Sequence, residues 1–168
     1  PILVDFDFRY NISISTRQHD EETIISIMDL YTEKLKKILK FEDDKEFPIY
    51  IFEKPSINIL EKEEIVKDGI HMLIGLSMPN KVQSLLRDEV LKDIDSLDLD
   101  LPLENSWDSV LDRGITEGYT NWQMYGSRKP NNEAYQLTKY YMARIDLNDM
   151  EFTINEMETS SLDLQSVS

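Results

Sequence analysis

The chain contains no cysteine and only two histidines, His19 and His71, among its 168 residues. The missing cysteines exclude a disulfide framework, thiolate zinc sites, iron–sulfur clusters and thiol catalysis, and two histidines exclude a multi-histidine metal site. No apolar run approaches the ~18 residues that a membrane span needs. The first residues, Pro1 to Val4, lead directly into Asp5 without the pattern of a signal peptide. We therefore expect a soluble, intracellular protein with no membrane contact.

Basic residues are also scarce, because 18 Lys and Arg stand against 33 Asp and Glu and give a net charge of -15. That charge alone argues against a broad phosphate-binding surface. Residues 93–108 and 146–168 each hold six acids and no base, so they supply 12 of the 15 excess charges. We expect a core at residues 1–145 and an acidic C-terminal extension or linker at 146–168, whose last ten residues fray.

Hydrophobic periodicity predicts a sheet and two amphipathic helices. Strands are predicted at residues 2–8, 47–52 and 67–77, with shorter candidates at 109–115 and 121–125. The helices are predicted at 20–39 and at 80–95, with Asn80 as N-cap of the second. Residues 55–66 are predicted to be irregular and 96–108 a loop, and 135–142 fit either a helix or a strand. This order predicts an α+β fold, a mixed sheet with helices packed on one face.

Asp5 and Asp7 lie two residues apart on the first predicted strand. Such side chains point the same way, with Cα atoms roughly 6.5–7 Å apart. Mg²⁺ prefers oxygen ligands, and a two-metal site polarises the attacking and the leaving oxygen together. The alternative is an ordinary amphipathic strand with two solvated aspartates, and the pair alone does not decide between them.

A cation, a glycine and an imidazole share one face of the third predicted strand, as Lys67, Gly69 and His71. That face could receive a triphosphate, with charge from Lys67, close backbone approach at Gly69 and a hydrogen bond from His71. The alternative is a surface lysine and a structural histidine. The opposite face is predicted to enter the core through Ile70, Met72 and Ile74.

One more acid and two bases follow later in the chain. Asp112 comes after the apolar pair at residues 110–111 and could be a third carboxylate. Arg128 and Lys129 lie at the exit of the short strand predicted at 121–125, where they could meet phosphates. Each of these signals is weak by itself.

Taken in order, the motifs resemble the archaeo-eukaryotic primase superfamily. The resemblance is strongest to its PrimPol-type branch and to the primase domain of the helicase–primases of large nucleocytoplasmic DNA viruses. It covers roughly residues 2–140, and residues 112–129 are similar to the PrimPol segment that follows the third motif. The family motifs are a paired acid, a Ser-x-His often preceded by lysine, and a single acid after hydrophobic residues. Their counterparts are Asp5 and Asp7, then Lys67, Gly69 and His71, then Asp112.

The resemblance implies an RRM-like catalytic core and a DNA primase or primase–polymerase, which joins nucleoside triphosphates on a single-stranded DNA template. It also implies Mg²⁺ or Mn²⁺ as cofactor, a helicase domain in the same polypeptide and a viral replication site in the host cell. The implied metal ligands and catalytic residues are Asp5, Asp7 and Asp112. The implied nucleotide-binding residues are Lys67, Gly69, His71, Arg128 and Lys129.

Three departures from the family pattern stand out. Gly69 replaces the usual serine and removes a hydroxyl donor, which its backbone N–H could replace. Gln123 stands where relatives often have arginine. The family also carries an αβ module before the paired-acid strand, so we expect this chain to be a fragment of the catalytic core without it.

Two other functions fit the same residues. A metal-dependent nuclease would use the same carboxylates. A catalytically inactive binding module of a larger replication protein would keep the fold without the chemistry.

Overall fold

A computed structural model describes residues 1–114 and 133–161, which form a six-stranded sheet with helices. Within these ranges, no helix is both long and apolar enough to cross a membrane. The strand predicted at 121–125 lies outside the described residues. The elements in chain order are β1 (Ile2–Asn11), α1 (Glu21–Ile38), β2 (Glu46–Glu53), β3 (Asn58–Leu60), β4 (Ile65–Ile74), α2 (Asn80–Asp93), a 3₁₀ turn (Ile94–Leu97), α3 (Trp107–Val110), β5 (Gln136–Asp146), β6 (Glu151–Met157) and a 3₁₀ turn (Thr159–Ser161).

Buried and half-buried residues alternate along strand β1 up to its last residue, Asn11, which is exposed. The apolar side chains of β1 enter the core because successive residues of a strand point to opposite faces. Phe6 contacts Tyr31 of α1 edge to face, with ring centroids 6.4 Å apart. Full burial of such a side chain contributes about 1.5–3 kcal/mol. The buried residues of β1 are Ile2, Val4, Phe6, Phe8 and Tyr10.

Helix α1 is confirmed close to its predicted bounds. A capping box starts it: the Asp20 carboxylate accepts from the backbone N–H of Thr23, and the Thr23 hydroxyl bonds back to residue 20. Acids occupy its first turn and lysines its last, as the helix dipole favours. Both α1 and α2 contribute to the same core as the buried side chains of β1, so these helices cover one face of the sheet.

The strands lie in the order β1-β4-β2-β5-β6, and β3 also pairs with β4. Strands β1 and β2 flank β4 and are both antiparallel to it, with α1 crossing between them, which is the split βαβ of RRM-like folds. The α+β class is confirmed. Every pairing of named strands in the described residues is antiparallel, so the predicted mixed sheet is not found there. Strands β1 and β2 do run parallel to each other, but β4 lies between them.

Several local predictions were wrong. Residues 55–66 are not wholly irregular, since β3 forms a hairpin with the start of β4. Helix α2 begins at Asn80 itself, and Pro79 takes the N-cap position without a side-chain hydrogen bond. A strand was predicted at 109–115, but residues 109 and 110 belong to helix α3, which is capped by Ser106. The next residue, Leu111, forms an isolated bridge to Phe6 of β1.

The C-terminal part of the described chain adds two strands to the sheet. Of the two possibilities for residues 135–142, the strand is right, as β5, which pairs with β2. Residues 151–157 of the predicted acidic extension form β6, which pairs with β5.

Candidate active site

Two of the predicted motifs face each other across neighbouring strands. In the β1–β4 ladder Asp5 pairs with His71 and Asp7 with Gly69, and one step further Arg9 pairs with Lys67. Directly opposite residues of an antiparallel pair share a face. We call the surface made by these six residues the site face; it is turned away from α1 and α2, since the alternate residues of β1 fill the core.

The two acids of the site face each lie beside a basic side chain or an imidazole. His71 Nε2 lies 3.4 Å from Asp5 Oδ1 and Lys67 Nζ lies 3.8 Å from Asp7 Oδ1. The second Asp7 oxygen accepts from the Arg9 guanidinium at 3.3 Å. Both carboxylates are partly exposed, at 22% for the Asp5 side chain and 29% for that of Asp7, so they remain accessible to a ligand.

The third predicted acid, Asp112, is brought beside the first. Leu111 bridges Phe6 in antiparallel fashion, and the Asp112 N–H donates to the Asp5 carbonyl at 3.0 Å. Leu111 is buried in the core with Phe6, so the next pair in register, Asp5 and Asp112, lies towards the site face. The Asp112 carboxylate accepts from the Gly114 N–H at 2.9 Å.

A buried arginine holds the segment that carries Asp112. Arg87 of α2 is only 3% exposed, and its guanidinium donates to the carbonyls of Leu111 and Asp108 at 2.8 Å each. Further along the same segment, the Asn105 side chain donates to the Asp7 carbonyl and accepts from the Arg9 N–H. The outer edge of β1 is thereby paired along most of its length, which fixes Asp112 relative to β1. Sequence reasoning missed both residues, because their partners are far away in the chain.

The three acids do not form a closed ligand cluster. In the described ranges, no three His, Asp or Glu side chains are close enough together to hold a metal ion. The Asp7 oxygens point to Arg9 and Lys67, and Asp112 accepts from the backbone of Gly114. The donor set itself consists of carboxylate oxygens, the ligands that Mg²⁺ and Mn²⁺ prefer, so its chemistry fits such ions.

The sequence led us to expect that a ligand could approach the backbone closely at Gly69. The structure shows that this space is filled. The Gly69 N–H donates to its neighbour Asp68 Oδ1 at 2.9 Å, which makes it a poor substitute for a serine hydroxyl. A Cβ at this position would lie 2.6 Å from the hydroxyl oxygen of Tyr135 and 2.9 Å from the carbonyl oxygen of Phe6. The space above Gly69 therefore already holds a hydroxyl group.

Tyr135 is the main residue of the site that the sequence did not reveal. Its ring stacks on the His71 imidazole, with centroids 3.6 Å apart and planes 12° from parallel, and Lys54 Nζ lies 5.2 Å from its centroid. Burial raises the pKa of the Tyr135 hydroxyl, and the charges of Asp5 and Asp7 raise it further. A glycine between Lys67 and His71 was the only available signal, since it leaves room for a large side chain from elsewhere.

A buried charged network lies on the other side of β4 from the site face. Arg17 donates to both Asp68 oxygens at 2.9 Å, while His19 Nε2 lies 2.6 Å from the Glu53 carboxylate, which also accepts from Thr138 at 2.6 Å. Burial is the largest influence on Glu53 and raises its pKa, but the bonds from His19 and Thr138 and the nearby charges outweigh it and lower the pKa. The network fixes Asp68, which in turn binds the Gly69 N–H.

The remaining predicted site residues cannot be placed. Arg128 and Lys129 lie outside the described residues, as does Gln123. The structure thus brings together Asp5, Asp7, Lys67, Gly69 and His71, with Asp112 at their edge.

Comparison with known proteins supports the family resemblance. Among curated proteins, no significant match to the chain was found. The family model described as the C962R protein N-terminal AEP domain, an archaeo-eukaryotic primase-type domain, matches residues 1–141. The match includes both strands of the site face and Asp112. The chain therefore belongs to this family of archaeo-eukaryotic primase-type domains.

Proposed function

We propose that this domain carries out template-directed nucleotidyl transfer and makes primers from nucleoside triphosphates on single-stranded DNA. The observation that supports this most is the register of β1 and β4, which sets the paired acids opposite the Lys-x-Gly-x-His segment. In the reaction a 3′-hydroxyl attacks the α-phosphate of an incoming nucleotide and forms a phosphodiester bond. The bond between the α- and β-phosphates breaks, pyrophosphate leaves, and the hydroxyl proton passes to solvent. In phosphoryl transfer, most of the catalysis is positioning and charge stabilisation, and two rigid paired strands supply positioning.

In this proposal Asp5, Asp7 and Asp112 hold two Mg²⁺ or Mn²⁺ ions. When bound, the ions supply charge stabilisation and lower the pKa of the attacking hydroxyl. Three carboxylates carry -3 and two divalent ions +4, so the loaded site attracts a triphosphate despite the acidity of the chain. The carboxylates of Asp7 and Asp112 would have to leave their present partners, which are exposed or half-exposed groups.

The proposed triphosphate contacts come from β4. Lys67 has a side chain that is 37% exposed, and its ammonium is only loosely paired with Asp7 at 3.8 Å, so it can turn towards phosphate. His71 is held next to Asp5 and orients that carboxylate. Arg128 and Lys129 are proposed to contact phosphate or template, on the basis of the family resemblance alone.

The template requires more positive charge than this chain carries. A net charge of -15 disfavours binding of the DNA backbone by this domain alone. We propose that another part of a longer polypeptide, a helicase domain, supplies a basic surface for the template, and that the protein acts at a viral replication site.

The test is primer synthesis by the full-length protein on single-stranded DNA with Mn²⁺ or Mg²⁺, in separate reactions with ribonucleotides and deoxynucleotides. We expect Asp5→Ala and Asp7→Ala each to abolish synthesis, and the matched control Asp95→Ala, an exposed acid on the helix side, to leave it intact. Full activity in either site variant contradicts the assigned roles.

A second reaction separates this proposal from the nuclease and the inactive module. The labelled template is incubated with the metal and without nucleotides. Scission that disappears in Asp5→Ala would assign a nuclease. Neither scission nor synthesis, together with no calorimetric binding of a nonhydrolysable triphosphate, would indicate a binding module.

A further inference from the structure

Tyr135 occupies the centre of the site face without being part of any motif in the sequence. Its ring covers His71, which is only 4% exposed, and its hydroxyl lies above Gly69, midway between Lys67 and His71 on β4. The ring is also part of a small apolar cluster with Phe52 and Leu73. Tyr135 is therefore a fixed element of the site.

The position of the Tyr135 hydroxyl depends on residue 69 being glycine. Any side chain at position 69 would place its Cβ 2.6 Å from the Tyr135 oxygen, so the hydroxyl can lie there only because the residue is glycine. The ring carbon that bears the hydroxyl would be 3.8 Å from that Cβ, an ordinary contact. The close approach therefore concerns the hydroxyl specifically.

This hydroxyl can act as a donor, because a tyrosine hydroxyl keeps its proton at neutral pH at its ordinary pKa of about 10. Burial raises the pKa of the Tyr135 hydroxyl, and the charges of Asp5 and Asp7 raise it further. A protonated hydroxyl beside Lys67 adds a neutral donor to a cation, a combination suited to binding phosphate oxygens. The imidazole of His71 stacks on the Tyr135 ring, so the two residues occupy the same part of the site face.

We propose that the Tyr135 hydroxyl donates a hydrogen bond to the triphosphate of the incoming nucleotide, at the point on β4 where Gly69 has no side chain. This inference rests on the proposed function, because it takes the site face as the place where the triphosphate binds. Tyr135 thereby acts as a substrate-binding residue, and its ring keeps His71 against Asp5.

The test compares Tyr135→Phe, which removes only the hydroxyl, with the matched control Tyr50→Phe. Tyr50 lies on the same side of the sheet and packs against the same apolar cluster, but its ring stacks on Tyr140, with ring centroids 5.3 Å apart. Binding of a nonhydrolysable deoxynucleoside triphosphate and of inorganic tripolyphosphate, each with Mn²⁺, is measured by calorimetry on the full-length protein. Thermal melting and the imidazole NMR signals of His71 report whether the fold and the ring stack persist.

We expect Tyr135→Phe to weaken binding of both probes about tenfold or more, the typical effect of losing a hydrogen bond to a charged group. Tyr50→Phe should bind both probes like the wild type.

Wild-type affinity in Tyr135→Phe overturns the inference and leaves the proposed function standing, provided Lys67→Ala weakens binding. A loss for the nucleotide but not for tripolyphosphate also overturns it, since the contact would then be to sugar or base. Absence of binding by the wild type overturns both proposals.

Discussion

Asp5 and His71 lie directly opposite each other in the β1–β4 ladder, and the imidazole Nε2 is 3.4 Å from the carboxylate. The two residues are far apart in sequence, yet the antiparallel register sets every second residue of one strand against every second residue of the other. One cross-strand pair therefore aligns the whole paired-acid motif with the whole Lys-x-Gly-x-His segment. A slip of one residue would turn one set of side chains into the core.

The first prediction concerns Lys67. Replacing it with alanine should raise the KM for nucleoside triphosphate about tenfold with a smaller change in kcat, because the ammonium contributes charge to substrate binding and does not take part in bond formation. Steady-state primer synthesis at varied nucleotide concentration measures both constants. Lys40→Ala, an exposed lysine beyond the end of α1, is the control and should change neither. An unchanged KM in Lys67→Ala would remove this lysine from the triphosphate site.

The second prediction concerns Arg87, a positioning residue. Arg87→Met leaves the carbonyls of Leu111 and Asp108 without their donor and should lower the free energy of unfolding by about 2–4 kcal/mol. Urea denaturation measures the loss. Lys81→Met on the exposed side of the same helix should change stability by no more than about 0.5 kcal/mol.

Arg87 should also affect catalysis at temperatures where the variant is still folded. Since its bonds fix the segment that carries Asp112, we expect kcat to fall while the nucleotide KM changes little, and Arg87→Lys to recover part of the rate. An equal loss of kcat in Arg87→Met and Arg87→Lys would indicate a purely structural role for this arginine. A loss of rate that occurs only at the melting temperature would indicate the same.

The elements that the sequence predicted well depend on neighbours close in the chain. The alternation of β1 and the amphipathic pattern of α1 are local, and both elements appear close to their predicted bounds. Asp112 was only a weak candidate until the family resemblance was considered, because its place beside Asp5 depends on contacts made by residues such as Arg87. Tyr135 was missed, since it precedes β5 and its place beside Gly69 depends on the pairing of β5 with β2, far away in the chain; the glycine itself was the only signal. Features that depend on residues close together in the chain could be predicted, and those that depend on contacts between distant residues could not.

The third prediction concerns Gly69. Gly69→Ala puts a Cβ too close to the Tyr135 hydroxyl and to the backbone carbonyl of Phe6, so it should cost about 1–3 kcal/mol of stability. Tyr135→Phe in the same chain removes only the first clash, so the double variant should recover part of that loss. Chemical denaturation of the two single variants and the double variant measures this coupling. Strict additivity would mean that the hydroxyl does not lie above Gly69.

The last prediction is the pH dependence that Glu53 gives to folding. Its pKa is lowered in the folded state, so it contributes stability above the ordinary glutamate value of about 4.5 and loses that contribution as the pH falls through the folded pKa. Urea denaturation between pH 7 and pH 3 should therefore show stability falling with acidity. Glu53→Gln should flatten this dependence and lower stability at pH 7, because the variant has no carboxylate charge beside His19 and Arg17, which lie 2.6 and 3.4 Å from Glu53 Oε2. Thr138→Val removes one of the bonds that lower the pKa and should flatten the curve less. Unchanged pH dependence in Glu53→Gln would show that other acids dominate it.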